Sequence, residues 1–579
     1  VAVEFPIIEH LRLGASGLDD RQFRLQSFGH LARQPGMHPM RDERYCGSVV
    51  MPWQELYDAD GGLYVGAHDA RAVNLFFTSK ASGIEGEHFT AGFRKLDDVK
   101  PGEDCSYTYV VAAHPGSWHW GADRYREWFY ETFGRAEYPE WTKTCDGWLD
   151  IQAENYTDSF TFAGLSDWLD RGEAIGVDWM QVWGQFSYSR GPCCASFYQP
   201  SPQYGGAEEW AKAANAIKAR GGRLGGYYHY AYLDLLPIVS DWYLGHFRKD
   251  EYPEDTPWVT AEYFQRMQAI IDPAGAIPDW PPSDDELAPY LDNIEAHQDL
   301  WAAGERAKPV FWWKLSWINE PEWWEYLRSW VADKYVREWG CNVAYIDVLG
   351  TGGARESYDP RRGHNGEGTW GLGRLGIART VTESAREADP DFLCAMEGLG
   401  DLPGLYCASM CSGVYYGARN VMRYTFPERI FIHGGANPGS GGSYLDRYLT
   451  SFREVMRHDI VGVPSCASIP PLQLQRNFKP WIYQARFMDT IGLTTSQPRV
   501  QARWLHRTEG DAIGAILTMT NRDYLAGQTV SFDASQVGGV QAGFYVTLSG
   551  EAGALELTRE GETVSFDVPV ELGAIAYLV

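Results

Sequence analysis

Short alternating runs of apolar and polar residues, broken by Gly, Asp and Pro, fill the chain from its start to about residue 115. Gly62-Leu63-Tyr64-Val65-Gly66, Val73-Asn74-Leu75-Phe76-Phe77 and Ser106-Tyr107-Thr108-Tyr109-Val110-Val111 are examples. Strands at this spacing predict a β-sandwich, and the abrupt opening leaves room for a further part of it upstream. From about 140 to 490 the period changes, and apolar strands alternate with helices. Gly147-Trp148-Leu149-Asp150-Ile151 is the first expected strand, and Asp178-Trp179-Met180-Gln181-Val182-Trp183 the second. Ala207 to Arg220 reads as a helix with Trp210, Ala214 and Ile217 on one face, stopped by Gly221-Gly222. Arg223 to His229 is the third strand. A helix with Pro321 at its first position carries the stripe Trp323, Leu327, Val331 and Tyr335 and feeds a fourth strand, Asn342 to Asp347. A helix over Leu372 to Ala388 feeds a fifth, Phe392 to Glu397. Later strands are expected near Val421-Met422-Arg423, Arg429 to His433 and Ile460 to Val463.

Repeated β–α units over some 350 residues predict a (β/α)8 TIM barrel. A doubly wound sheet is the rival, but the first strand is followed by no GxGxxG and the chain carries no GxxxxGK[ST] loop. From about 500 onward the chain is again all strand, as in Ala512 to Leu517, Gly543 to Val546, Thr563 to Phe566 and Ile575 to Leu578. The expected α/β organisation is therefore an N-terminal β-sandwich over 1–135, the barrel over 136–495 and a C-terminal β-sandwich over 496–579. The Pro-rich, acidic stretch at about 240–320 is too long for a βα loop and reads as an inserted lobe.

Composition narrows the partners. The 579 residues hold 50 basic and 77 acidic side chains, a net charge of −27, which disfavours nucleic acid and anionic membrane as partners. No apolar run approaches the length of a membrane span. The 24 Trp suit a neutral sugar, whose apolar face packs on indole, and equally suit a large core. The first residues show neither a basic nor an apolar leader region, and the ten Cys form no framework. Cys341 and Cys394 read as buried thiols, which favours a reducing, cytoplasmic setting, with secretion after removal of a leader the other reading. No cofactor and no metal is expected, and the oligomeric state is not encoded in any pattern here.

In a barrel, reactive groups project from the C-terminal ends of the strands. Asp150, His229, Asp347 and Glu397 occupy four such ends. Asp347 and Glu397 end successive strands, an arrangement that glycoside hydrolysis needs: one carboxylate to attack or stabilise the anomeric carbon, one carboxylic acid to release the leaving oxygen. Gly350 to Gly353 and Gly398 to Gly400 follow them and permit close backbone approach. Asp401 is placed to orient a hydroxyl or tune the acid. Asp359 and His364 lie in a loop expected to cover the pocket. Trp183, Gln185, Asp150 and His229 are candidate walls for the terminal sugar, with Arg423 a further candidate, and Trp312, Trp313, Trp317 and Trp370 are candidate platforms.

An Asp ending strand four and a Glu ending strand five, between two sandwiches, resembles the α-amylase-related retaining α-glycosidases. The outline is most similar to the endo-α-N-acetylgalactosaminidase branch and its uncharacterised relatives. The resemblance implies that Asp347 is the nucleophile and Glu397 the general acid/base of a retaining α-glycosidase acting on a carbohydrate. It departs from the α-amylase pattern two residues before the nucleophile, where Tyr345 stands in place of Arg. A carboxyl separation of about 5–5.5 Å is expected for retention and about 6.5–9.5 Å for inversion. A β-specific or inverting glycosidase, a sugar lyase or transglycosylase, and a non-catalytic carbohydrate-binding protein are the other readings.

Overall fold

The computed structural model describes residues 2–13, 19–35, 43–82, 88–97, 99, 101–153, 160–186, 198–201, 204–230, 232–234, 313–315, 318, 321–351, 370–411, 419–433, 444–461, 465, 467–507, 514–521 and 528–579. At its centre eight parallel strands close into a barrel in sequence order. They are β1 (Gly147–Gln152), β2 (Trp179–Trp183), β3 (Arg223–His229), β4 (Val343–Asp347), β5 (Leu393–Glu397), β6 (Cys407–Cys411), β7 (Phe431–His433) and β8 (Arg457–Val461). The ring shuts where Gly147 to Asp150 of β1 pair with His458 to Val461 of β8. The doubly wound alternative is thereby excluded.

Strands β1 to β5 lie where the sequence pattern puts them. The sixth strand, Cys-Ala-Ser-Met-Cys, carries no β-branched or aromatic residue and escapes a propensity reading. The segment expected as a strand at Val421-Met422-Arg423 is instead a short helix, Val421–Thr425, capped by Asn420 accepting from the Arg423 N–H. The helix from Pro321 widens over Ser329–Glu338 into five-residue turns, with the Trp339 N–H bonded to the Lys334 carbonyl. The stretch read as an inserted lobe at about 240–320 lies almost wholly outside the described residues. At its edges, Tyr232–Asp234 pairs antiparallel with Trp313–Leu315.

On the N-terminal side a four-stranded and a five-stranded antiparallel sheet meet through Leu56 of one and Phe89 and Ala91 of the other. A helix the alternating pattern does not announce, Trp118–Phe133, follows these sheets. Its Trp118, Ala122, Tyr125 and Phe129 are buried at helical spacing. The C-terminal module is a six-stranded sheet facing a four-stranded one, around Trp504, Leu517, Phe532 and Phe566. Among the described residues, no helix is long and apolar enough to cross a membrane. Cys341 and Cys394 are buried free thiols, as read from the sequence.

A buried charged knot fastens the C-terminal sheets to the barrel. Arg503 lies 3.0 Å from Asp489 and 3.1 Å from Glu454, and His119 of the Trp118–Phe133 helix reaches Asp489 at 3.1 Å. The arginine holds the Asp489 carboxyl well below its ordinary range despite burial. Replacing Arg503 by Met strands Glu454 and Asp489 without it, and should cost about 3–5 kcal/mol. Thermal or denaturant unfolding followed in parallel with wild type measures that loss.

Candidate active site

Parallel register decides which side chains share the barrel interior, because successive residues point to opposite faces. Tyr227 is level with Tyr345 and His229 with Asp347. Tyr345 is level with Ala395, and Gln152 with Trp183. The interior set thus includes Trp148, Asp150, Gln181, Trp183, Tyr227, His229, Tyr345, Asp347, Glu397 and Asp459. Strands β4 and β5 are buried until their last residues, Asp347 and Glu397, which are partly exposed. The mouth at the C-terminal ends is where this interior meets water.

The two carboxyl groups lie in hydrogen-bonding contact with each other. Asp347 is held on both oxygens: the Tyr227 hydroxyl donates at 2.7 Å and the Tyr345 hydroxyl at 3.3 Å. Glu397 accepts from the Thr351 hydroxyl at 3.3 Å and from the Val348 N–H. Val348 follows Asp347 with a φ of 60°, a left-handed conformation costly for a β-branched residue. That conformation accompanies the turn by which its N–H meets Glu397. Gly398, at a φ of 92°, follows Glu397; a Cβ there would lie 2.7 Å from the Gly350 carbonyl carbon. The glycines after the two strands therefore let the loops approach each other, with the Gly350 N–H donating to the Glu397 carbonyl at 2.7 Å.

Burial and the adjacent Glu397 charge push the Asp347 carboxyl up to about 8, against the pull of the two tyrosine hydroxyls. Burial also raises Glu397. Two buried carboxyls in contact cannot both ionise at neutral pH, so the pair keeps one proton between them. Tyr345 is itself raised far above the usual phenol range by burial and then by Asp347 and Glu397, and it stays a hydrogen-bond donor.

A second carboxyl pair lies within the same interior. Asp150 of β1 is hydrogen-bonded to Asp459 of β8, and burial followed by the Asp459 charge raises it strongly. Asp459 accepts from the Trp148 indole at 2.7 Å and from Arg447 at 2.6 Å. Oδ1 of Asp150 is buried with no described partner. Trp183 packs on Tyr345 and Tyr227 at 4.5 and 5.3 Å between ring centroids. His229 is buried, and desolvation lowers its imidazole to about 3, so it is neutral.

Asp150, Trp183, His229, Asp347 and Glu397 are thus brought to one interior. Other expected residues sit elsewhere. Gln185 points outward from the barrel, donating to the Tyr227 carbonyl at 3.1 Å and reaching Tyr335 on the surrounding helix at 3.5 Å. Asp401 is enclosed by the N-terminal module, accepting from Tyr125 at 2.6 Å, from Tyr45 at 3.1 Å and from the Leu402 N–H at 2.8 Å. Trp370 is fully buried, edge-on to Tyr230, and presents no platform. Arg423 is buried on its short helix, near Phe487 and Arg457; Arg457 opens β8, which puts Arg423 at the end of the barrel opposite the mouth. Trp313 begins a described strand, but its side chain, like Asp359, His364, Trp312 and Trp317, lies outside the described residues.

Tyr227, Thr351 and Asp459 are the residues that sequence reading missed. Tyr227 and Tyr345 each stand two positions before a strand end, and the two-residue period alone puts them on the same face as His229 and Asp347. Among the described residues, no group of three metal-binding side chains assembles at the mouth.

No protein-family model matches the chain, and no curated protein matches it in sequence. Solved structures do match in fold. An α-galactosidase of glycoside hydrolase family 36 from Geobacillus stearothermophilus aligns with a TM-score of 0.52 at 10% identity, covering 99% of this chain and 76% of that one. The galactosidase domain of the α-galactosidase–sucrose kinase AgaSK aligns at 0.56 and 10%, covering 99% and 75%. The α-N-acetylgalactosaminidase NagBb from Bifidobacterium bifidum aligns at 0.57 and 12%, covering 89% and 81%. By its fold, this chain is a glycoside hydrolase-like TIM barrel flanked by antiparallel sheets, similar to these α-glycosidases.

Proposed function

We propose that the protein is a retaining α-glycosidase, with Asp347 as nucleophile and Glu397 as general acid/base. The contact between these two carboxyls at the barrel mouth carries the reading. Two carboxyls this close on successive strand ends support attack by a carboxylate over activation of a water held between them. The fold neighbours named as α-galactosidases and an α-N-acetylgalactosaminidase make α-galactosides and α-N-acetylgalactosaminides the first substrates to try.

In the first step the shared proton, drawn toward Asp347 in the free protein, moves to Glu397 as substrate binds, and Glu397 passes it to the glycosidic oxygen as the bond to the anomeric carbon breaks. An ionised Asp347 oxygen forms the new bond to that carbon, giving a glycosyl ester and a free leaving alcohol. Glu397, now ionised, takes a proton from water; the hydroxide oxygen attacks the anomeric carbon and Asp347 leaves as carboxylate. The Tyr227 and Tyr345 hydroxyls hold Asp347 ionised and oriented during attack. The free Oδ1 of Asp150 accepts a sugar hydroxyl, and Trp183 lines the wall beside it.

Aryl α-glycosides followed by NMR should release the α-anomer before mutarotation; a β-anomer first product would overturn retention. Asp347→Asn and Glu397→Gln should each lower kcat/KM on an unactivated substrate by about 10²–10⁴-fold or more, while a pure binding protein would show no turnover to lose. Tyr227→Phe removes a charge-assisted hydrogen bond of about 1.5–3 kcal/mol, or roughly 10- to 100-fold in rate, and should move the acid limb of the pH–rate profile upward.

Stability should move the other way. A carboxyl raised from its unfolded value of about 4 binds a proton in the folded state that the unfolded chain has lost, so stability falls as pH rises between those values. Glu397→Gln and Asp347→Asn relieve that penalty. Both should melt above wild type at pH 7–8, with the difference vanishing near pH 4.

A further inference from the structure

We propose that Asp19, Asp20 and Asp58 form a calcium-binding site at one end of the N-terminal five-stranded sheet. The register assembles it. Arg21–Arg24 pairs antiparallel with Trp53–Tyr57, and Arg21 faces Tyr57. Asp20, one residue before the first strand, and Asp58, one residue after the second, are therefore brought together where the pair ends. One carboxylate oxygen from each of the three residues lies within 4.8 Å of the others. That is the span across a calcium ion whose ligands stand at about 2.4 Å.

Clustering alone would be a solvated acidic edge. Asp20 makes the difference: it is 2% exposed, and its Oδ1 has no hydrogen-bond partner among the described residues. Its other oxygen is fixed by the Leu13 N–H at 3.0 Å. Asp58 is held in the same fashion, its Oδ1 accepting from the Asp60 and Gly61 N–H groups at 2.7 and 3.1 Å. Asp20 and Asp58 are thus each oriented through one oxygen, and Asp20 is left with a desolvated oxygen among acidic neighbours. Arg12 attracts Asp20, but more weakly than either Asp58 or Asp19 repels it. A buried anionic oxygen without a donor is an expensive arrangement unless a cation completes it.

The ligand chemistry selects the ion. Three carboxylates with no His or Cys favour a hard cation, and the flexible oxygen count suits Ca²⁺ better than the tight octahedron of Mg²⁺. Binding would join Asp19 and Asp20 to the turn at Asp58–Gly61. Leu13 packs against the small cluster of Leu56, Phe89 and Ala91 between the two sheets, so the ion would close one end of that interface. The site is independent of the glycosidase reading.

Calorimetric titration of CaCl₂ into the EDTA-treated, desalted full chain should give one saturable site, with a Kd of about 10⁻⁵–10⁻³ M. Saturating Ca²⁺ should raise the first melting transition, and MgCl₂ should bind at least tenfold more weakly. Asp20→Asn should lower calcium affinity tenfold or more. In EDTA the same variant should melt at or above wild type, because a repelled buried charge is gone, so the order of stability reverses on adding Ca²⁺. A purely structural aspartate would give no such reversal. Asp19→Asn, at an exposed position, serves the same comparison where Asp20→Asn fails to fold. Absence of a saturable site in wild type, or variants that bind Ca²⁺ like wild type, would overturn the proposal.

Discussion

Two carboxyl groups buried in contact must share a proton, and the end of the barrel is organised about that requirement. Desolvation raises both acids; the phenols of Tyr227 and Tyr345 restrain the rise on Asp347, and Thr351 and Val348 do the same for Glu397. None of these donors carries charge, so the pair is tuned by oriented dipoles. The left-handed Val348 and the Cβ-less Gly398 are the backbone's part in it: the first meets Glu397 through an N–H, the second lets two strand-end loops touch.

The same interior repeats the motif at another level. Asp150 and Asp459 are also hydrogen-bonded to each other, but Arg447 and the Trp148 indole close on Asp459 and leave Asp150 with a buried oxygen that has no described partner. One pair is anchored by a cation, the other by neutral donors.

Much of the fold was legible because its signal is local and periodic. Strands ending at His229, Asp347 and Glu397 alternate with helices whose stops are Gly221 and Gly340, and strand-end position is enough to pick out the central acids. Legibility failed where a choice depended on tertiary surroundings. The sixth strand has no propensity to announce it, and Val421–Thr425 is apolar enough to pass for a strand. Asp401 looks like a pocket residue from its spacing, but Tyr45 and Tyr125, hundreds of positions away, claim its oxygens. Gln185 follows a strand end, yet the chain has already turned it outward toward Tyr335. Glycines after the strands were read as making room for a ligand; they first make room for each other.

The fate of Asp401 reaches beyond its own burial. It sits four residues past Glu397, and its carboxylate is gripped by phenols from the N-terminal strands and from the Trp118–Phe133 helix. The flanking module therefore acts as a jig for the loop that follows Glu397. Excising the barrel on its own, or transplanting a foreign sandwich onto it, would leave a buried carboxyl ungripped and let the loop behind Glu397 drift. Modularity in this architecture stops at that clasp.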